Sequence, residues 1–585
     1  MLTRFLRSLL GGTPARSGAG ADDAGLQQAL SYLNDGVVAR EQGDWKKSLM
    51  LLECAVALAP TMVAARVAFA ASLVRTGKSL RALEQCREAL RVDPEDRSAR
   101  EMLAVMEDDA RGAVAMTPPR PAAASSDGEA IRMALTLPHV LYSRSEIAVV
   151  REQLDQDLDR LSRSRLSVND PATEVGLTAF YLAYHGENDR ALHERIAALH
   201  LAACPELAWV APHCSAPRPP GAQRMRVGLV SDYFQNHSIG RVTEGLVAKL
   251  DRSRFEVHVF GFREPFDELS RALAQSADEW RVLPRELAGA RAGVARHALD
   301  VLLYPDVGMD PLTYFMTFAR LAPVQCATWG HPVTTGVPAM DYFLSTDYFE
   351  PEDGASHYSE RLVKLRDAVF PGYYRRPEKL AAVAPAELGF DATRRTYFSP
   401  QSLFKFHPDF DSVLARILRH DPRGELVLVY DEHTDTYRRP RLEARMKRAM
   451  PDVFDRITFL PRSADRSGYL QRLQACDVVL DTHPYCGGNT SLEAISMGAL
   501  VVTLPSPMNR GRHTYAFFRK MGFMDTVARD ADHYVELAVR IANDAPYRAH
   551  LKRLQAERAP ALYEDQRAVD QIGDFFEQAV RPGVP

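Results

Sequence analysis

Apolar positions change rhythm twice along the chain. Between residues 43 and 94 they recur every three to four residues, the period of a helix with one buried face. Two stretches there align, GDWKKSLMLLECAVALAP at 43–60 and GKSLRALEQCREALRVDP at 77–94. Gly43 pairs with Gly77, Ser48 with Ala82, Ala55 with Ala89 and Pro60 with Pro94, each at an offset of 34 residues. A glycine to open the turn, a small residue where helices meet and a proline to end the second helix predict tetratricopeptide-like repeats. A plain α-hairpin is the alternative. Residues 111–128, rich in Pro, Ala and Ser, read as a linker. Helical periodicity then returns in YSRSEIAVVREQLDQDLDRL and TAFYLAYHGENDRALHERIAALH, and stops at a second linker, SAPRPPGA.

From residue 223 onward the apolar runs shorten: RMRVGLVS, FEVHVFGF, ALDVLLYPD and VQCATWGH, with helix-like segments between most of them. A second series begins near residue 396 with TYFSP, ELVLVYDE, ITFLPR, DVVLDTH and GALVVTLPS. Strands alternating with helices predict parallel sheets. The expected architecture is multidomain, α followed by α/β. It comprises a flexible terminus at 1–25, helical repeats at 26–110, the linker at 111–128 and a helical domain with its linker at 129–222. Two Rossmann-like domains follow, at 223–375 and 376–585. Two such domains face each other across a ligand cleft at the carboxyl ends of their strands.

Composition narrows the class. A chain of 585 residues exceeds one hydrophobic core. Its 72 basic and 76 acidic residues give no electrostatic case for nucleic acid. The seven cysteines include no CxxC pair, which argues against a disulfide framework or structural zinc and for reduced thiols in the cytoplasm. Arg4 and Arg7 interrupt the apolar start, and no stretch of ~18 apolar residues follows. No signal peptide and no stable membrane insertion are expected. No residues show metal-ligand spacing, and neither a Walker loop nor a GxSxG elbow occurs.

Four polar stretches at strand ends carry candidate chemistry. In SDYFQNHSIGR, Asn236 and His237 open a helix, where His237 serves either as a general base or as a helix cap. In GHPVTTG, His331, Thr334 and Thr335 crowd a turn between two apolar strands, an expensive place for polar groups unless they contact something. The alternative there is a loop that satisfies its own backbone. In YFSPQSLFKFHPD, Ser399 and Gln401 lead to Lys405, which either neutralises a diphosphate leaving group or is solvated. In LDTHPYCGGNTSLEA, Gly487, Gly488, Asn489, Thr490 and Ser491 form a turn and helix start suited to phosphate. Glu493, one turn inside, either accepts ribose hydroxyls or simply favours the helix start.

Taken in order, these stretches resemble the catalytic region of the O-GlcNAc transferase/SPINDLY family, from about Arg226 to the end, with the repeats in front. FQNHSIG, APVQCATWGHPVTTG, SLFKFHP and LDTHPYCGGNTS each have a counterpart there. The resemblance implies a GT-B fold and a metal-independent protein glycosyltransferase without cofactor, using a nucleotide-sugar co-substrate that is expected to be UDP-linked. Lys405 matches the family lysine that contacts the donor diphosphate. Asn489 stands where the family has histidine, and Glu493 near its aspartate. Asn489-Thr490 and NRGRHTYAFFRKMGF are similar to the bacterial adhesin N-glucosyltransferases. Donor sugar and O- or N-linkage stay open on these residues. The acceptor implied is a protein presented through the helical repeats, flagellin or an adhesin among bacterial members. A glycan or lipid-linked acceptor is the enzymatic alternative, and a non-catalytic repeat scaffold the other.

Overall fold

The computed structural model describes residues 22–76, 79–104, 106, 124–215 and 224–581. Most of the expected 1–25 and 111–128 segments, and Gly77, lie outside them. The chain forms two compact units, one of the N-terminal helices with Leu141–Gln156, the other of Pro119–Val140 with Asp157–Pro585.

In the first unit, helices span Asp22–Glu41, Trp45–Leu58, Val63–Arg75 and Ser79–Val92. The second and fourth start and end 34 residues apart, the offset of the sequence alignment. Gly43 turns the chain at φ +81°, and the Asp44 carboxylate caps the next helix by accepting from Lys47 N–H. The aligned small residues Ser48, Ala82, Ala55 and Ala89 are all buried, so the helices can approach closely. The Ser48 and Ser72 hydroxyls satisfy each other at 3.1 Å inside this contact.

The second unit holds two sheets. The first comprises β1 (Met225–Val230), β2 (Phe255–Gly261), β3 (Glu279–Val282), β4 (Val301–Tyr304), β5 (Val324–Thr328), β6 (Tyr342–Thr346) and β7 (Arg361–Leu365). Their order is β3-β2-β1-β4-β5-β6-β7, all pairs parallel. The second comprises β8 (Arg395–Ser399), β9 (Gly424–Tyr430), β10 (Ile457–Pro461), β11 (Val478–Leu480) and β12 (Val501–Val502), parallel in the order β10-β9-β8-β11-β12. Each sheet reverses its direction of growth once, between β1 and β4 and between β8 and β11. Such switch points leave a crevice beyond the strand ends where ligands bind.

Burial is nearly continuous along β1, β4, β5 and β8, as expected for parallel strands covered on both faces, and their sequences are correspondingly poor in charge. β3 is different. Its EWRV sequence is half-exposed at the sheet edge, and no apolar run marks it. The segment 178–200 is also less regular than its periodicity implies. A short 3-10 turn, Phe180–Tyr184, ends at Gly186 with φ +76°, and a regular helix begins only at Arg190.

The last helix, Gln566–Val580, follows the second sheet in sequence but packs on the first. Ala568, Val569, Ile572 and Phe576 join the core of Val227, Leu229, Phe255 and Val257. Arg254 beside β2 pairs with Asp574 and Glu577 at 2.8 and 2.9 Å. A boundary at 376 therefore assigns this helix to the wrong sheet; its apolar stripe carries it back. Where the chain recrosses, Glu564 N–H donates to Tyr374 O, on the forward crossing, at 3.0 Å.

Candidate active site in the interdomain cleft

A cavity of about 530 Å³, counted to its open mouth, lies between the two Rossmann-like domains. Ser238, Ile239, Val242, Trp329, Gly330 and Pro332 come from the first domain, and Lys405, Tyr485, Gly488, Asn489, Thr490 and His513 from the second. Two helix N-termini open into it, Ser238–Lys249 after β1 and Asn489–Met497 after β11. The amides of Asn489 and Thr490 have no protein acceptor among the described residues, as expected for the first turn of a helix. Asn489 Nδ2 reaches across the cleft to Ser238 O at 3.1 Å. The positive ends of two helix dipoles thus meet at one cavity, where an anion is stabilised.

Lys405 adds a full charge. Its ammonium donates to Gln401 Oε1 at 2.9 Å and to Cys486 O at 3.1 Å, and lies 4.7 Å from the centre of the Tyr485 ring. Desolvation holds its pKa below the ordinary lysine value, opposed by Cys486 and Asp481. A third N–H has no acceptor among the described residues. Beneath the loop, the buried Asp481 carboxylate accepts from Gly487 N–H at 2.6 Å and Thr503 Oγ1 at 2.8 Å. Burial raises the Asp481 pKa, while these hydrogen bonds and Lys405 oppose the rise. Gly487 allows this close packing, since a Cβ there would lie 2.6 Å from Ser491 Oγ and 2.7 Å from Gln401 Nε2.

The remaining sequence candidates divide by location. His237 caps its helix, with Nδ1 accepting from Ile239 N–H at 3.2 Å. Burial first, then Arg241 and Arg462, lowers its pKa to about 4, so the ring is neutral at pH 7. With Nδ1 accepting, Nε2 carries the proton and the ring offers a donor. Asn236 is exposed, and its side-chain oxygen accepts from Arg241. Ser399 Oγ ties β8 to β11 by donating to Leu480 O at 2.8 Å. Ser491 is buried against Thr514 Oγ1 at 2.7 Å, and Glu493 pairs with Arg466 at 2.9 Å. His331, Thr334 and Thr335 line a separate small pocket with Phe180 and His193. His331 stacks on Phe180 at 4.9 Å between ring centres, and burial lowers its pKa to about 3. Thr334 Oγ1 donates to Glu360 Oε2 at 2.7 Å, and Thr335 N–H to Glu360 Oε1 at 2.7 Å. Of that segment, Trp329, Gly330 and Pro332 face the cleft instead.

Three aromatic cleft residues were not singled out from the sequence. Trp329 looks like core, and its ring does lie 5.4 and 5.1 Å from Phe349 and Phe370. Tyr485 looks like a loop aromatic, yet it supports Lys405. His513 opens the helix His513–Met521, 27 residues beyond Cys486 in sequence. Its Nε2 meets Asn509 Oδ1 at 2.8 Å, and its Nδ1 lies 3.6 Å from where a Gly488 Cβ would stand. Burial lowers its pKa to about 3, with Lys405 adding to the shift. Asp306, beyond β4 near the other switch point, is buried and pushed up to about 8, mainly by desolvation.

The SPINDLY protein of Petunia hybrida, named as a probable UDP-N-acetylglucosamine–peptide N-acetylglucosaminyltransferase, is 25% identical over 338 residues, 56% of this chain and 36% of that protein. The UDP-glucose:protein N-beta-glucosyltransferase of Actinobacillus pleuropneumoniae is 23% identical over 347 residues, 56% of this chain and 52% of that protein. The chain spans about a third of the length of the SPINDLY relatives it matches. In fold it is similar to the solved O-GlcNAc transferase of Thermobaculum terrenum, with a TM-score of 0.60 at 23% identity over 96% of this chain and 99% of that one. Residues 155–383 and 387–570, which together include both sheets and the cleft between them, match one family description. The chain belongs to glycosyl transferase family 41.

Proposed function

We propose that the chain transfers a sugar from a nucleotide diphosphate donor to Ser/Thr or Asn of a protein. The observation that carries this reading is the convergence of Lys405 and two helix N-termini on one cavity. As the acceptor oxygen or nitrogen bonds to the anomeric carbon, the bond to the diphosphate breaks and negative charge grows on the leaving oxygen. Lys405 and the amides of Asn489 and Thr490 meet that charge, in place of a metal ion. The Asn489–Ser238 hydrogen bond holds the two lips of the cleft together at the same point. His237 Nε2 donates to the acceptor and orients it. Gln401 positions Lys405, Gly487 and Ser491 shape the donor loop, and Glu493 supports its helix through Arg466.

The relatives' names support a protein acceptor and a UDP-linked donor. The N-terminal helices, read as tetratricopeptide repeats, present that acceptor, which is flagellin or an adhesin in a bacterial setting. The two sheets make a GT-B enzyme, and the reaction takes place in the cytoplasm where nucleotide sugars are made. Calorimetric titration with UDP, GDP and CMP tests the donor site. Selective binding of UDP, weakened in Lys405→Ala, supports the reading. Equal or absent binding of all three sinks it.

A further inference from the structure

Outside the cleft, the edge of the seven-stranded sheet gathers two histidines and a carboxylate. His258 on β2 is buried and stands in register with Glu279 on β3. His297 follows the helix Leu287–Ala295. Glu279 Oε2 lies 2.9 Å from His258 Nδ1 and 3.0 Å from His297 Nδ1. One ligand atom from each of the three residues falls within 4.8 Å of the others. Bonds of about 2.0–2.2 Å to a tetrahedral cation place ligand atoms roughly 3.3 Å apart, so the two sides that meet at Glu279 Oε2 need lengthen only slightly to accommodate one.

Arg281 holds the other oxygen of Glu279, which leaves Oε2 to the two rings. Glu256 Oε1 stands 3.1 Å from His258 Nε2, off the line of a good hydrogen bond. A modest turn of Glu256 gives the carboxylate–histidine–metal arrangement that fixes a ligating ring.

We infer that His258, Glu279 and His297 form a binding site for a zinc-like divalent cation, with a water completing its four-coordinate shell. Two imidazole nitrogens and one carboxylate oxygen suit zinc better than magnesium or calcium, which prefer oxygen alone. The ion clips the short edge strand β3 to β2 and to the turn after the neighbouring helix. No local spacing betrays the site, because each ligand belongs to a different element.

The test uses the full chain, stripped with EDTA and kept reduced, titrated calorimetrically with Zn²⁺ and melted with and without it. A saturable site and a Zn²⁺-dependent rise in Tm are expected. His297→Gln and Glu279→Gln each weaken binding at least about tenfold and abolish the rise. Cobalt substitution of the wild type should give visible d–d bands without a thiolate charge-transfer band. Matched circular dichroism of the stripped proteins separates ligand loss from misfolding, and His297→Gln, at a surface turn, is the gentler variant. No saturable binding, a thiolate band, or binding retained by a folded His297→Gln overturns the inference.

Discussion

Replacing Lys405 by alanine isolates the electrostatic part of the proposed reaction. The ammonium makes two hydrogen bonds, to Gln401 Oε1 and Cys486 O. Its loss leaves those acceptors unpaired, at a cost of about 1–3 kcal/mol if water does not replace it. That cost is partly offset, because a desolvated charge is removed as well. The fold should therefore survive, with Tm lowered by only a few degrees (~2–4 °C per kcal/mol for domains of this size). The transition state suffers more. Removing one preorganised donor to a developing oxyanion costs roughly 10²–10³ in kcat, or about 2.7–4 kcal/mol. Charge on the diphosphate grows during bond cleavage, so kcat should fall by a larger factor than KM rises. The assay is release of nucleoside diphosphate at saturating donor, with glycosylation of a protein acceptor followed by intact mass. A folded Lys405→Ala that keeps kcat within about threefold of wild type would refute the role assigned to this lysine.

Other changes test the loop, the core and the titrating groups. Gly487→Ala forces a Cβ to within 2.6 Å of Ser491 Oγ, and calorimetry should show nucleotide affinity falling at least about tenfold as the loop shifts. Asp411 forms a buried two-point pair with Arg445 at 2.8 Å, so Asp411→Ala should cost about 3–5 kcal/mol in urea unfolding. His200 is packed among Tyr314, Phe315 and Phe318, and burial lowers its pKa from 6.5 to about 3. The unfolded chain then binds the extra proton first, so stability falls below pH 6.5 by about 1.4 kcal/mol per pH unit until pH approaches 3. His200→Leu should flatten the decline in Tm between pH 7 and 5, and an unchanged slope would contradict the assignment. Asp306 has the opposite sign, because its folded pKa of about 8 exceeds the unfolded 3.8 and stability is lost as pH rises between them. Asp306→Asn should be more stable than wild type at pH 8 and lose that advantage toward pH 4, as read by thermal melts.

What the sequence made legible follows from where the signal is local. Nine strands were readable as short, largely apolar runs, most of them buried along nearly their whole length. The edge strands β3 and β7 were not, because EWRV and RLVKL are part-exposed and interrupted by charged residues. The 34-residue repeat was legible because the turn glycine and small contact residues recur at fixed spacing. Lys405, Gly488, Asn489 and Thr490 stood out at strand-to-helix turns, and all four line the cleft. Trp329, Tyr485 and His513 reach it through tertiary contacts that no short window contains. The GHPVTTG hydroxyls illustrate the converse. They are polar groups in an apolar setting, but Glu360, 25 residues beyond Thr335, accepts from them. A partner at that separation cannot be inferred from spacing. The end of the second domain escaped for a similar reason, since periodicity identifies an amphipathic helix without naming the sheet it covers.

The returning C-terminal helix has a mechanical consequence. The polypeptide joins the two sheets twice, and Glu564 N–H bonds to Tyr374 O where the strands of linker pass each other. Two adjacent tethers behave as a paired hinge. Sliding and twisting of one sheet against the other are resisted, while rotation about the line through both tethers remains soft. In the proposed reaction, any opening of the cleft about that line breaks the Asn489–Ser238 bond, which spans it.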